Sequence, residues 1–160
     1  GVDSQLAIET SGHAAYKENY FLDDGAYLAT KIVIKAAQLK LQGVGIGVLL
    51  ESLEEPKEAL EVRFPINGGE FGQYADQVLE GLSKWAEGQN EAGRAVTEVT
   101  PNYEGVRLNF QLPEVKGWCL LRKSLHDPIL PLNVEVTEGR CQDILEMIKE
   151  FLSNYDRIVV

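Results

Sequence analysis

The sequence predicts an α+β fold, a four- or five-stranded, largely antiparallel sheet covered by helices on one face. Three observations lead there. Several short stretches after residue 57 alternate apolar and polar residues with the period of a half-buried strand. Two stretches with helical spacing flank them, at residues 73–87 and 140–155. Between the two helices the chain carries strands alone, so the order reads β-α-β-β-β-β-α.

Each element has its own signature. Residues 6–16 read as a short strand with a loop. Asp23 and Asp24 are N-cap candidates for a helix from about Gly25 to Leu41. That helix is apolar on most faces (Leu28, Ile32, Val33, Ile34, Leu39), so it predicts burial on more than one side. Gly43-Val44-Gly45-Ile46-Gly47 breaks the chain, and Leu49, Leu50 and Leu53 suggest a short helix before Pro56. A domain boundary falls between Leu41 and Pro56.

Beyond it, Leu60, Val62, Phe64 and Ile66 alternate with Glu61, Arg63 and Pro65. A proline within that strand predicts an edge position or a bulge. Ala75, Val78, Leu79, Leu82, Trp85 and Ala86 fall at helical spacing. Val106, Leu108, Phe110 and Leu112 alternate cleanly, as do Leu130, Leu132, Val134 and Val136. Trp118 to Leu121 are apolar on both faces. Ile144, Leu145, Ile148, Phe151 and Leu152 form the inward stripe of the last helix.

The composition narrows the function classes. Of the 160 residues 44% are apolar, which is a globular chain. No apolar run approaches the ~20 residues needed to span a membrane, and no signal peptide is visible. A formal charge of −10 repels nucleic acid and anionic lipid at long range. Cys119 and Cys141 follow no pattern, which predicts free thiols in a reducing, cytoplasmic compartment. The chain begins Gly-Val and its one methionine is Met147, so we expect an excised piece of a longer protein.

The chemistry concentrates in two stretches. In Arg122-Lys123-Ser124-Leu125-His126-Asp127-Pro128 an apolar strand ends in a guanidinium, a hydroxyl and an imidazole, and then a proline. The arginine fork offers two parallel N–H donors to an oxyanion. Ser124 and His126 can donate with the same aim, and turn amides can add to them. An ordinary polar turn has the same composition. The second stretch is Glu9-Thr10-Ser11-Gly12-His13, followed by Lys17-Glu18-Asn19-Tyr20-Phe21-Leu22-Asp23-Asp24-Gly25. A carboxylate accepts from adjacent sugar hydroxyls, Ser11 can donate and accept, and Gly12 permits a left-handed turn. His13 can bond a hydroxyl or a phosphate, and Lys17 lies close enough in sequence to reach an anion or to be a solvated surface lysine. Asp23-Asp24 invites a Mg²⁺ reading, but capping explains the pair without an ion.

Together the two stretches resemble the C-terminal part of the α-D-phosphohexomutases, the family of phosphoglucomutases and phosphomannomutases. The first is similar to the family's Glu-x-Ser-Gly-His sugar loop, the second to its Arg-x-Ser-x-Thr-x-Pro phosphate loop, in that order along essentially all 160 residues. The departures are Leu125, where Gly or Asn is usual, and His126, where Thr is usual. The resemblance implies that residues 1–42 end a sugar-binding α/β domain, 43–56 are a linker, and 57–160 form a TATA-binding-protein-like, phosphate-binding domain. It implies sugar contacts from Glu9, Ser11, Gly12 and His13, and phosphate contacts from Arg122, Ser124 and His126, with Lys17 as a further candidate.

The whole enzyme implied by the resemblance moves phosphate between O1 and O6 of a hexose through a phosphoserine, Mg²⁺ and a hexose 1,6-bisphosphate. No Ser-His-Asn-Pro-like or Asp-x-Asp-x-Asp loop occurs in this sequence, so no catalytic residue, metal or cofactor is expected in it. The expected partners are a hexose phosphate, the N-terminal domains of the same chain and a second copy of this piece, with neither nucleic acid nor membrane. A different class, a non-catalytic module binding a sugar phosphate or a protein, would keep Arg122 and Ser124 but need no upstream catalytic domain.

Overall fold

A computed structural model describes residues 3–9, 12–53 and 55–160. The chain divides into two compact units, residues 1–54 and 55–160.

In the first unit, β1 (Leu6–Ile8) and β2 (Ala14–Tyr16) pair antiparallel, Leu6 opposite Tyr16. The single strand expected over 6–16 is therefore a small hairpin, and residues 9–13 are its connection. A 3-10 turn, Lys17–Asn19, leads to α1 (Gly25–Leu41). Of the two cap candidates Asp24 does the capping, its carboxylate accepting from the Tyr27 amide at 3.0 Å. Gly43, at φ +79, ends the helix, and the Val44 amide returns to the Leu39 carbonyl. The short helix expected near Leu49–Leu53 is a 3-10 turn at Ile46–Leu50.

Burial of α1 on several sides is not what the structure has. Leu39 is its one buried residue, while Ile32, Val33 and Ile34 are 49%, 67% and 51% exposed. Covering such side chains is worth about 1.5–3 kcal/mol each, and contiguous apolar patches on soluble monomers are small. Sedimentation velocity over a concentration series is therefore expected to show self-association of the 160-residue chain. A strict monomer with residues 25–41 strongly protected from hydrogen exchange would mean that the face is covered within the chain.

The second unit holds β3 (Glu58–Pro65), α2 (Gly72–Glu91), β4 (Val96–Glu98), β5 (Val106–Gln111), β6 (Lys116–Leu121), β7 (Ile129–Glu138) and α3 (Cys141–Leu152). The strands form one fully antiparallel sheet in the order β3-β7-β6-β5-β4. This is the expected α+β fold with five strands. Pro65 lies on the edge strand β3, where its missing N–H costs no ladder bond.

Alternation decides the two faces of the sheet. Phe64, Leu108, Phe110, Cys119, Leu121, Leu130, Leu132 and Val134 point to one face and are buried. There they pack with Val78 and Leu82 of α2 and Ile144, Ile148 and Leu152 of α3. Burial pushes the Cys119 thiol up to about 12, so it is not a nucleophile at neutral pH. Both cysteines are free. The opposite face carries Glu61, Arg63, Arg107, Trp118, Leu120, Asn133 and Glu135, and neither α2 nor α3 packs on it. Trp118 and Leu120, apolar in sequence, are half-buried on that open face. No described helix is long and apolar enough to cross a membrane.

Candidate functional site

The two motifs fall in different units. In the first, the β1–β2 connection is closed by the Glu9 amide donating to the His13 carbonyl at 2.9 Å and the Gly12 amide donating to the Glu9 carbonyl at 3.0 Å. Gly12 has φ +89, the left-handed turn its sequence position suggested. Glu9, Gly12 and His13 are all exposed. Ser11 lies outside the described residues.

His13 is held from outside this loop. Its Nδ1 lies 2.7 Å from Asp23 Oδ2. The hydrogen bond and charge of Asp23 raise the His13 pKa above 6.5, and the charge of Glu9 adds to the effect. Lys17 sits in the following turn, where its ammonium is paired with Asp3. Asp23 and Asp24 each have a partner, His13 and the Tyr27 amide. No group of three or more His, Cys, Asp or Glu that could hold a metal occurs among the described residues.

In the second unit, residues 122–128 connect β6 to β7. The ladder runs on into the loop, the Arg122 amide donating to the Pro131 carbonyl at 3.0 Å and the Ser124 amide to the Ile129 carbonyl at 3.2 Å. Ser124 Oγ accepts from the amides of His126 (3.4 Å) and Asp127 (3.2 Å). The hydroxyl thus organises the turn, and its own O–H donates to no described residue. The Leu125 amide is left without a partner among the described residues. His126 is exposed.

The cations around the loop are not equivalent. Lys123 pairs with Asp76 of α2 at 2.6 Å. Arg63 on β3 pairs with Glu61 at 2.8 Å. Arg63 first, then Asn133 and Arg122, hold the Glu61 carboxyl below its ordinary pKa. Arg122 itself makes no side-chain hydrogen bond or ion pair among the described residues, and it is half-buried at the end of β6. A guanidinium with free N–H groups, in the same loop as a hydroxyl and an unpartnered amide, can hold an oxyanion.

Sequence reasoning missed two neighbours. The Arg107 guanidinium lies 4.5 Å over the Trp118 ring, and its Nε is buried with no hydrogen-bond partner. Gly105, at φ +151, abuts the Arg122 backbone so closely that a Cβ would lie 2.8 Å from Arg122 Cα. Cross-strand placement carries both signals, and a single sequence does not reveal it.

No protein-family model matches the sequence, and no curated protein sequence does. Among solved structures the chain is similar to a phosphoglucomutase/phosphomannomutase family protein from Burkholderia thailandensis. The TM-score is 0.61 at 23% identity, over 94% of this chain and 28% of that one. The chain thus spans less than a third of the length of that protein, and the likeness is one of fold.

Proposed function

We propose that this chain is the C-terminal part of a cytoplasmic phosphohexomutase, an enzyme that interconverts hexose 1-phosphate and hexose 6-phosphate. Residues 9–13 grip the sugar, and Arg122, Ser124 and His126 clamp its distal phosphate. The observation that carries the reading is the unpaired Arg122, next to a Ser124-ordered turn with a free amide, on a fold similar to that of a phosphoglucomutase/phosphomannomutase family protein. Phosphoryl transfer in this reading depends on positioning and charge neutralisation. The clamp must hold either phosphate of a bisphosphosugar in turn, which suits a site built on one fork and a few turn donors.

In this reading the phosphoserine, Mg²⁺ and hexose 1,6-bisphosphate of the whole enzyme belong to segments with other motifs. The purified 160-residue chain is accordingly expected to show no mutase turnover with glucose 1-phosphate or mannose 1-phosphate, even with Mg²⁺ and a bisphosphosugar primer. A coupled assay reading above the buffer blank would overturn that. Phosphate titration followed by NMR tests the clamp itself. Shifts should centre on residues 122–128, and shifts scattered elsewhere would count against the site.

A further inference from the structure

The stretch between His13 and Asp23 is built to bring the two side chains together. After β2 the chain makes the 3-10 turn Lys17–Asn19, then places two consecutive residues, Tyr20 and Phe21, at φ 54. L-residues with a Cβ rarely adopt this conformation, and aromatic ones have no local polar group to favour it. The Phe21 amide donates to the Tyr16 carbonyl at 2.9 Å and the Leu22 amide to the Asn19 carbonyl at 3.0 Å, which fixes the reversal. Burial of the rings does not explain it, since Tyr20 is 88% and Phe21 49% exposed. The reversal instead returns the backbone so that Asp23 pairs antiparallel with Ala15. His13 lies two residues before Ala15 and so shares its face, diagonal to Asp23. That register sets Asp23 Oδ2 at 2.7 Å from His13 Nδ1.

We infer that Asp23 is a positioning residue for His13, holding the imidazole with Nδ1–H toward the carboxylate so that Nε2–H is a cationic donor for a phosphate-bearing sugar. This rests on the reading of residues 9–13 as a sugar-phosphate loop. The charged groups around the ring act in the same direction. Asp23 raises the His13 pKa most, and Glu9, in the same loop, adds to it. Lys17, on the turn that follows, is tied to Asp3. Asp24, the immediate neighbour of Asp23, is committed to the α1 cap. The sign follows from linkage. A raised histidine pKa means that the pair is complete below the ordinary imidazole value and is released as pH rises through the raised one. The loop therefore keeps a charged donor to higher pH than an unpaired histidine would.

The chain has two histidines, so ¹⁵N-histidine NMR of the full 160 residues resolves both rings, and His13→Gln assigns them. In the unsubstituted chain His13 should titrate above the ordinary value, with Nδ1 protonated throughout. In Asp23→Asn its titration should fall back toward the ordinary value. Glucose 1-phosphate, followed through the Gly12 and His13 signals, should then bind several-fold more weakly at about pH 7.5 and nearly unchanged at about pH 5.5, below the ordinary imidazole value. Asp24→Asn should weaken the helix cap and leave the His13 titration where it was. Loss of binding by equal factors at both pH values would reduce Asp23 to a structural role and overturn the inference. An unmoved His13 titration in Asp23→Asn would overturn it too, while His13→Gln, if it still lost binding, would leave the sugar-loop reading intact. Binding unaffected by His13→Gln would overturn the loop reading, and the role of Asp23 in binding with it.

Discussion

Arg122→Ala is expected to abolish the phosphate response of residues 122–128. Few groups converge on the anion in this chain, so the starting affinity should be millimolar, about −4 kcal/mol. A hydrogen bond to a charged group is worth about 1.5–3 kcal/mol, and a guanidinium can make two in parallel. Removing them leaves too little for measurable binding. The neighbouring cations are already engaged, Arg107 over the Trp118 ring. Lys123 is held by Asp76 and Arg63 by Glu61, and the formal charge falls from −10 to −11. Arg122→Lys keeps the charge but loses the planar fork, so it should weaken binding without eliminating it. An NMR titration of both variants reads the result. Arg122→Ala titrating like the unsubstituted chain would remove Arg122 from the clamp.

The parts of this protein that are legible in its sequence are those governed by local periodicity. Leu60–Phe64, Val106–Phe110 and Leu130–Val136 alternate strictly because one face of each strand is buried under α2 and α3. The helical stripe of α3 is equally plain, and the structure buries Ile144, Leu145, Ile148, Phe151 and Leu152. β4 has three residues, too few to display a period, so the sequence order counts a fourth strand between the helices without residues to place it. The β1–β2 hairpin was harder still, since its strands have three residues each and only Ala14 is buried. Where the α1 face finds cover depends on surfaces that a helical period does not specify.

The candidate site divides along the same line. Residue types and spacing nominated Arg122, Ser124 and His126. They did not say that Ser124 Oγ would accept from two amides of its own turn, or that Asp76 would hold Lys123. Those contacts depend on turn geometry and on a helix 47 residues away in sequence. The His13–Asp23 pair was hidden for a similar reason. Asp23 sits directly before a helix, where an aspartate reads as a cap, and the bond it makes instead requires the left-handed reversal at Tyr20 and Phe21.

Gly105→Ala should unseat Arg122 without changing any residue of the 122–128 loop. Gly105 has φ +151, a conformation that forces strain on any residue with a Cβ, about 1–3 kcal/mol. The added methyl also has nowhere to go. It would lie 2.3 Å from the Leu121 carbonyl oxygen and 2.8 Å from Arg122 Cα, and both are backbone. Overpacking of this kind costs about 1–3 kcal/mol more, because neither atom can rotate away. The end of β6 must therefore shift outward from β5, and the first atoms displaced are those that carry the Arg122 guanidinium. The bond from the Arg122 amide to the Pro131 carbonyl, which seats the loop on β7, stretches with them. Two readouts should move together, a melting temperature lower by roughly 10 °C for the second unit and a weaker phosphate response at residues 122–128. Gly93→Ala serves as the control, since that glycine also has a left-handed φ (+82) but a Cβ there meets nothing within 4 Å. It should cost stability through φ alone and leave phosphate binding as it was. A Gly105→Ala protein that melts and binds like the parent would show that β5 does not set the position of the clamp.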